Sequence, residues 1–385
     1  MDSADIIHVR TTTLFLLYLF LCKRYNKSKI IKGRGAMNTE KSILIRTDGN
    51  QDIAAGHLMR CLSIAQALHE KKVPVFFAAA DETSAGLLRT FFGPGEDYPI
   101  FILHSDYRKP DSETDSLISL FSQFHIGCLL VDSYFVIPSY LETLSEVTKT
   151  AYIDDLYSFD YPVDLLINYD AIIPENFYQQ ARRRLLGLSY TPLRKQFSRL
   201  QPTVRPEVKE ILISTGGADP CHAAVSLLSQ LIDSEESRDW CFHVLAGPMH
   251  SDRKSLEQMA LSHPGLRLYE HVAQMAELMQ RCDLAVSAAG TTLFELCAAG
   301  TPAVSFTMAD NQFTTAVQME AGAGIPCAGD VRIAKDFTSG LCRILYGLAS
   351  DYEKRKALSS SMHRLIDGNG AVRIADELIR LLHSD

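Results

Sequence analysis

The chain has 385 residues, more than one hydrophobic core usually supports, and we therefore expect two domains. Its 46% hydrophobic and 22% charged residues are typical of a soluble globular protein. The net charge of −8 is uneven, because residues 1–36 carry seven Lys or Arg and only two Asp, which leaves the remainder at −13. An acidic body lacks the basic face that binds a nucleic-acid backbone, so nucleic acid is not expected as a partner.

The first 36 residues differ from the rest of the chain. An apolar run covers residues 13–22, but a membrane-spanning helix needs about 20 residues. Lys23 and Arg24 follow this run, whereas a secretory signal carries its charges before it. We predict no stable membrane insertion and interpret residues 1–36 as a non-native or disordered extension before a start at Met37.

From residue 41 onward, short apolar runs alternate with amphipathic segments, which predicts βαβ units and a parallel sheet. The predicted strands are 42–46, 73–79, 99–103, 127–131, 149–153 and 164–167, and the predicted helices are 57–70, 83–92, 112–124, 138–147 and 174–184. The alternation of strands and helices then stops at a segment with three prolines and several basic residues. We therefore predict a first domain over 37–190 and an interdomain linker over 191–207.

A second series of units predicts another domain over 208–385. Its predicted strands are 209–214, 241–246, 266–269, 283–287 and 302–306, and its predicted helices are 220–232, 252–261, 273–281, 291–299, 311–320 and 332–349. Two more helices are expected between 351 and 384, separated by the Gly-containing segment 367–370. The predicted fold is α/β, with two doubly wound Rossmann-like domains and a cleft between them.

The nine cysteines are scattered, and no two have the Cys-x-x-Cys spacing of a metal or redox site. They are typical of reduced thiols in a cytoplasmic protein. We therefore predict neither a disulfide framework nor a metal site, and no cofactor.

The polar segment 46–60 spans the turn from the first predicted strand into the first turn of the first helix. In open parallel sheets this turn is at the carboxyl edge, where ligands bind. It contains Gly56, His57 and Arg60, and His57 at the start of a helix could act as an acid or base towards a bound substrate. A lone histidine more often serves as a local hydrogen-bonding group, but the Gly-His pair in a strand–turn–helix context favours the catalytic interpretation.

Two carboxylates also follow predicted strands of the first domain. Asp132 and Asp154 are expected at the same carboxyl edge, where each could cap a helix, hold the His57 loop or support the site. We assign them, with Gly56 and Arg60, a supporting role.

Two turns of the second domain could bind a diphosphate and a ribose. Gly216 and Gly217 follow a predicted strand and allow close backbone approach, although a tight connection without a ligand is an equally common reason for such a pair. Gly290, Thr291 and Thr292 begin a helix directly after another strand and offer donors to phosphate. Glu295 follows one turn later, where a carboxylate can accept both ribose hydroxyls or simply complement the helix dipole. No Gly-x-Gly-x-x-Gly or Walker A pattern indicates a dinucleotide or ATP.

These segments occur in one order together with 187–194 (Gly-Leu-Ser-Tyr-Thr-Pro-Leu-Arg), and the combination resembles the PseG/SpsG family of UDP-sugar hydrolases and spore-coat polysaccharide proteins. These are relatives of the MurG-like glycosyltransferases, so the resemblance implies a GT-B-like fold over 41–385. It further implies that His57 activates water and that Tyr134 and Asn311 lie near the sugar. The matches to the UDP-binding positions are Gly217, Gly290, Thr291, Thr292 and Glu295. One departure is Ala54, where the family usually has glycine.

The function implied is hydrolysis of a UDP-sugar, releasing UDP and a free 2,4-diacetamido-2,4,6-trideoxy hexose for nonulosonic (pseudaminic) acid or surface polysaccharide synthesis. UDP is a good leaving group, so donors aimed at the diphosphate matter more than a strong acid, and water attacking the opposite face predicts inversion at C1. A MurG-like glycosyltransferase and a non-catalytic nucleotide-sugar-binding protein are the alternatives. We expect a monomer whose partner is the small-molecule UDP-sugar.

Overall fold

The computed structural model describes residues 40–50, 53, 56–170 and 172–384. The chain divides into two units, Met1–Glu40 and Lys41–Asp385, and all that follows concerns the second. The predicted extension over 1–36, the predicted start at Met37 and the unusual Ala54 lie outside the described residues.

The first half of the unit is built on a seven-stranded parallel sheet with the spatial order β3-β2-β1-β4-β5-β6-β7. Its strands are β1 (Ser42–Thr47), β2 (Val75–Ala79), β3 (Ile100–Ile102), β4 (Ile126–Asp132), β5 (Lys149–Ile153), β6 (Leu165–Asn168) and β7 (Arg183–Leu186). The connecting helices are α1 (Gly56–Glu70), α2 (Glu82–Thr90), α3 (Thr114–Gln123) and α4 (Pro138–Ser145).

A six-stranded parallel sheet with the order β10-β9-β8-β11-β12-β13 forms the second half. Its strands are β8 (Glu210–Ser214), β9 (Cys241–Leu245), β10 (Leu266–Tyr269), β11 (Leu284–Ala288), β12 (Ala303–Thr307) and β13 (Cys327–Asp330). The helices are α5 (Ala223–Ile232), α6 (Arg253–Ser262), α7 (Met275–Arg281), α8 (Thr291–Ala299), α9 (Asn311–Ala323), α10 (Phe337–Ala349), α11 (Tyr352–Leu365) and α12 (Gly370–Leu382). The predicted pair of doubly wound Rossmann-like units is confirmed.

The strands form because apolar side chains can be covered on both faces of each sheet. In β1, Ile43 and Ile45 pack into one hydrophobic cluster, while Leu44 between them packs into the cluster on the opposite face. This is the near-continuous apolar pattern of a parallel strand with helices on both sides.

Most predicted elements are present to within a few residues, but two regions differ. The helix predicted over 174–184 is absent; the segment is irregular up to the short edge strand β7. Its apolar residues Phe177, Tyr178 and Ala181 have helical spacing, yet the buried Tyr178 hydroxyl donates to Asp154 and accepts from Asn168. The predicted helix 332–349 begins only at Phe337, because 327–330 forms the edge strand β13.

The last helix packs on the first sheet although it follows the second in the chain. In α12, six apolar residues share one core with α1: Ala371, Ile374, Ala375, Leu378, Leu381 and Leu382. The single domain predicted over 208–385 is therefore corrected at its end. Periodicity shows that a helix has an apolar face but not which sheet that face will cover.

The chain passes between the two sheets twice, and the two crossing segments contact each other. The first crossing, 187–209, is anchored by Leu193 and Phe197, which are buried in the core of the second sheet. The second crossing follows α11, and Gly368 approaches the backbone of Phe197 so closely that a Cβ atom there would overlap its carbonyl oxygen. The segment predicted as a linker is thus packed along much of its length.

All eight cysteines in the described part of the chain are free, and five of them are buried. None of the described helices combines the length and the apolar character that crossing a bilayer requires.

Candidate active site

The first candidate site lies where the strand order of the first sheet reverses. Strands β1 and β4 are neighbours, and Thr47 at the end of β1 is in register with Asp132 at the end of β4. The segment after β1 leads into α1, whose first residues are Gly56 and His57. Ligands of open α/β sheets bind in the crevice at this reversal.

His57 and Asp132 form a buried pair. Nδ1 of His57 is 2.5 Å from Oδ1 of Asp132, and His57 is only 3% exposed. An ionised carboxylate can only accept, so Nδ1 carries the ring hydrogen in this pair, and Nε2 of the neutral ring has the lone pair. Nε2 is buried and has no hydrogen-bond partner among the described residues. The ring is therefore held in the tautomer that can take a proton.

Arg60, one turn further along α1, holds the other side of this carboxylate. Its Nε and Nη2 donate to the two oxygens of Asp132 at 2.6 and 2.5 Å, and Nη1 donates to Asp155 at 2.9 Å and to the Tyr169 hydroxyl at 2.6 Å. Burial alone would raise the pKa of Asp132, but the charges and hydrogen bonds of Arg60 and His57 hold that pKa well below its usual range. Asp132 is thus ionised at neutral pH and can orient His57.

The aromatic ring of Tyr134 covers His57. The two ring centroids are 4.3 Å apart in an edge-to-face arrangement, and Tyr134 is 41% exposed. Its hydroxyl lies 3.5 Å from Oδ2 of Asp155. Burial, followed by the charge of Asp155, raises the pKa of Tyr134, so the hydroxyl stays protonated and able to donate. Tyr134 therefore separates the buried histidine from solvent.

The two adjacent aspartates after β5 have different surroundings. Asp154 accepts hydrogen bonds from the backbone of Leu156 and Tyr157 and from the hydroxyls of Tyr161 and Tyr178. It holds its own loop, whereas Asp155 joins the Arg60 network. Its hydrogen bonds are made within 154–178, so a role of Asp154 in holding the His57 loop or in supporting the site stays a prediction.

Asp155 and Tyr169 were missed by the sequence reasoning. Both follow strands, β5 and β6, at the same carboxyl edge as Asp132. Each is the second residue after a predicted strand, 149–153 or 164–167, so a search of the first two positions after every predicted strand would have found them.

The second sheet reverses its strand order between the neighbouring strands β8 and β11. Gly216 and Gly217 follow β8 and are exposed, and Gly216 has a φ of +82°. The amino end of the next helix, α5, is already occupied, because the Asp219 carboxylate accepts from the amides of Ala223 and Ala224 at 3.0 and 2.9 Å. In this turn the amides of Ala223 and Ala224 are therefore not available to a phosphate.

The amino end of α8, which follows β11, has no such cap. Gly290 precedes the helix without a capping side-chain bond, and a Cβ atom built on it would meet nothing within 4 Å. Thr291 and Thr292 are the first two helical residues. Open amides at a helix amino end suit an anion, so this turn fits a phosphate better than the one after β8.

Glu295 lies one turn into α8 and is paired with Arg194 of the first crossing segment. Nε and Nη2 of Arg194 both bond to Oε1 of Glu295, at 3.1 and 2.6 Å. Burial raises the pKa of Glu295, and Arg194 opposes that rise. From the sequence, Arg194 was placed only in the predicted linker 191–207; its contact with Glu295 is a finding of the structure.

Asn311 is the first residue of α9, after β12, and is exposed. It lies at the carboxyl edge of the second sheet, one strand further from the reversal than Gly290. The structure thus brings His57, Arg60, Asp132 and Tyr134 into one network, while the predicted UDP-binding residues and Asn311 lie at the carboxyl edge of the other sheet.

One group in the described part of the chain has metal-ligand types close together: Glu210, Cys241 and His243. It lies towards the amino ends of β8 and β9, away from the edge that carries the loops above. The His243 ring is bonded to Glu210 through Nε2, and Nδ1 lies 2.9 Å from the Tyr269 hydroxyl and 3.2 Å from Arg281. A hydrogen-bonded network that includes an arginine accounts for this group.

No model of a known protein family matches the chain. It is 24% identical over 286 residues to an uncharacterized protein of Methanocaldococcus jannaschii, covering 68% of this chain but only 54% of that relative's length. It is 21% identical over 344 residues to the spore coat polysaccharide biosynthesis protein SpsG of Bacillus subtilis, covering 86% of this chain and 95% of SpsG. A UDP-2,4-diacetamido-2,4,6-trideoxy-beta-L-altropyranose hydrolase of Campylobacter jejuni is 23% identical over 66% of this chain and 86% of that enzyme.

Solved structures extend the similarity at the level of fold. MurG of Acinetobacter baumannii superposes with a TM-score of 0.63 at 13% identity, covering 89% of this chain and all of MurG. A protein of Listeria monocytogenes described as a putative UDP-N-acetylglucosamine 2-epimerase gives a TM-score of 0.59 at 12% identity, over 90% and 98% of the two chains. The fold is therefore GT-B-like, as expected from the sequence.

Proposed function

We propose that this protein is a UDP-sugar hydrolase in which His57 activates a water molecule. The observation that carries the proposal is the buried His57–Asp132 pair, whose Nε2 has no partner among the described residues at the strand reversal of the first sheet. An unpartnered buried nitrogen costs free energy, and a role as proton acceptor explains why it is retained.

The reaction follows from this tautomer. Nε2 of His57 takes a proton from water as the water oxygen attacks C1 of the sugar. The bond from C1 to the diphosphate oxygen breaks, and UDP leaves with the electron pair. Asp132, held ionised by Arg60, stabilises the imidazolium that forms. Attack on the face opposite to UDP inverts the configuration at C1.

The second sheet would bind the leaving group. The uncapped amino end of α8 suits the diphosphate, with the Gly216–Gly217 loop alongside, and Glu295 suits the ribose hydroxyls. Tyr134 and Asn311 would contact the sugar. The similarity to the Campylobacter jejuni hydrolase supports a 2,4-diacetamido-2,4,6-trideoxy sugar, and the similarity to SpsG supports a role in surface polysaccharide synthesis.

A glycosyltransferase is the second candidate, with His57 deprotonating an acceptor hydroxyl. The likeness of the fold to MurG favours it, and so do three apolar side chains, Ile137, Leu156 and Ile172. They are exposed on the segments that follow β4, β5 and β6, at the same edge as Asp132, where they could contact an apolar acceptor.

One assay separates these functions. The full-length protein is incubated with a panel of UDP-sugars without acceptor, and UDP release is followed together with the anomeric configuration of the new sugar. Release by the wild type and its loss in His57→Ala support the hydrolase. Release only after addition of an acceptor supports the transferase, and tight UDP-sugar binding without turnover in either condition supports a non-catalytic binding protein.

A further inference from the structure

We propose that Arg194 is a positioning residue for nucleotide recognition, holding the carboxylate of Glu295 so that its second oxygen is presented to the ribose. The inference rests on the proposed function, in which Glu295 accepts the ribose hydroxyls. The first crossing segment, 187–209, would then take part in nucleotide binding as well as connect the two sheets.

The pattern of hydrogen bonds leaves one oxygen for the ligand. A carboxylate has about four acceptor sites, two on each oxygen. Nε and Nη2 of Arg194 both donate to Oε1 of Glu295 and so use the sites of that oxygen. Two sites remain on Oε2, the number that the two hydroxyls of a ribose require.

Arg194 is held in place by its own segment. Its guanidinium carbon lies 5.3 Å from the ring centroid of Phe197, which is fully buried in the core of the second sheet. Gln196, between them, accepts from the amide of Ala276 at 3.0 Å and so attaches the segment to α7. Arg194 is therefore already immobilised by its own segment, so less side-chain entropy is lost when it binds and orients the carboxylate of Glu295.

The charge of Arg194 also acts on the protonation of Glu295. Burial raises the pKa of this carboxyl group, and Arg194 is the charged side chain in the described chain that opposes the rise. Without the arginine the pKa would rise further, and a protonated carboxyl group accepts fewer hydrogen bonds. Arg194 thus orients Glu295 and favours its ionised form.

Lys195 provides a matched control. It is the next residue in the same segment and carries the same charge, but its ammonium group pairs with Glu70 at the end of α1 rather than with α8. Its loss removes a cation and an ion pair from the crossing segment without touching Glu295.

The test measures the affinity of the full-length protein for uridine and for UDP by calorimetry. In Arg194→Met we expect the dissociation constant of both ligands to rise by about tenfold or more, the loss typical of one charged hydrogen-bonding partner. Arg194→Lys should recover part of this loss, and Lys195→Met should leave both affinities unchanged.

A double-mutant cycle with Glu295→Gln decides whether Arg194 acts through Glu295. We expect Arg194→Met to have little further effect once Glu295 is replaced. A full additional effect, or a larger loss for UDP than for uridine, would mean that Arg194 contacts the ligand itself and would overturn the inference. If Glu295→Gln weakens binding and Arg194→Met does not, the inference fails while the proposed function stands; if the wild type binds neither ligand, both fail.

Discussion

Nδ1 of His57 lies 2.5 Å from Oδ1 of Asp132, although 75 positions separate the two residues in the sequence. His57 follows β1, and Asp132 is the last residue of β4. The two residues meet because these strands are neighbours at the reversal of strand order. The contact gives a histidine at the start of a helix a defined tautomer.

Replacing Asp132 by Asn should abolish most of the activity while leaving nucleotide binding intact. The amide can donate to Nδ1, which would place the ring hydrogen on Nε2 and remove the base. We expect the rate of UDP release to fall by about 10²-fold or more. UDP affinity should stay at the wild-type value, since Asp132 is on the first sheet and the proposed UDP-binding residues are on the second. A fall in UDP affinity equal to the loss of rate would contradict the role of Asp132 in orienting His57.

The same variant should change how stability depends on pH. The pKa of Asp132 is well below its usual range in the folded protein. Ionisation of Asp132 therefore stabilises the fold fully at pH values above the pKa of the unfolded chain, which is about 3.9. This stabilisation is lost as the pH falls towards the folded pKa. We expect Asp132→Asn to lower the free energy of unfolding by about 3–5 kcal/mol near neutral pH, and the difference to narrow below about pH 4.

Denaturant titrations at several pH values would measure this difference. The exposed carboxylate of Asp239 serves as the control, and Asp239→Asn should show no comparable change. A difference for Asp132→Asn that stays constant between pH 6 and pH 3 would show that ionisation is not its cause.

Tyr134 allows the ring and the hydroxyl to be tested separately. The ring packs edge-on against His57 at 4.3 Å, while the hydroxyl is only 3.5 Å from Asp155, at the limit of a hydrogen bond. Tyr134→Ala should therefore reduce the rate of UDP release much more than Tyr134→Phe. If the two variants lose equal activity, the hydroxyl rather than the ring is the functional group.

Gly290→Ala should weaken UDP binding without weakening the fold. Gly290 has a φ of −116°, which alanine adopts freely, and its Cβ atom would meet nothing within 4 Å. If the diphosphate lies against this turn, the methyl group takes part of its space. The dissociation constant of UDP should rise by about tenfold, with the melting temperature unchanged. Gly86→Ala is the control, because a Cβ atom on this helical residue also meets nothing within 4 Å, and it should leave UDP binding unchanged.

Gly368→Ala should be strongly destabilising. The residue has a φ of +74°, and a Cβ atom there would overlap the carbonyl oxygen of Phe197 where the two crossing segments touch. We expect a loss of about 3 kcal/mol or more in the free energy of unfolding. Gly340→Ala, in α10 and in open space, should instead gain up to about 1 kcal/mol from helix propensity. Equal melting temperatures for the two variants would contradict the close approach.

The local order of elements could be read from the sequence because it depends on neighbouring residues. The apolar runs of β1 and β4 and the helical spacing in α1 are patterns within a few residues. The helix predicted over 174–184, before β7, was wrong because it too was inferred from neighbouring residues alone. Phe177, Tyr178 and Ala181 fit one face of a helix locally, but Tyr178 is held by Asp154, which lies 24 positions away.

The candidate site was only partly predictable. His57 and Arg60 were named from the segment that leads from β1 into α1, and Asp132 from the end of β4, but their hydrogen bonds depend on which strands are adjacent. Arg194 was placed only in the predicted linker 191–207, because no local pattern connects it to Glu295, 101 positions later.

The sequence by itself determined the alternation of strands and helices, the two doubly wound units and the turns that carry His57 and Gly290. These depend on hydrophobic periodicity and on backbone conformations that each segment adopts alone. Only the tertiary structure decided that Asp132 orients His57, that Asp219 occupies the amino end of α5 while α8 stays open, that α12 covers the first sheet, and that Arg194 holds Glu295. Each of these is a choice among partners of similar chemistry, and strand order and chain crossing decide which partner comes within hydrogen-bonding or packing distance.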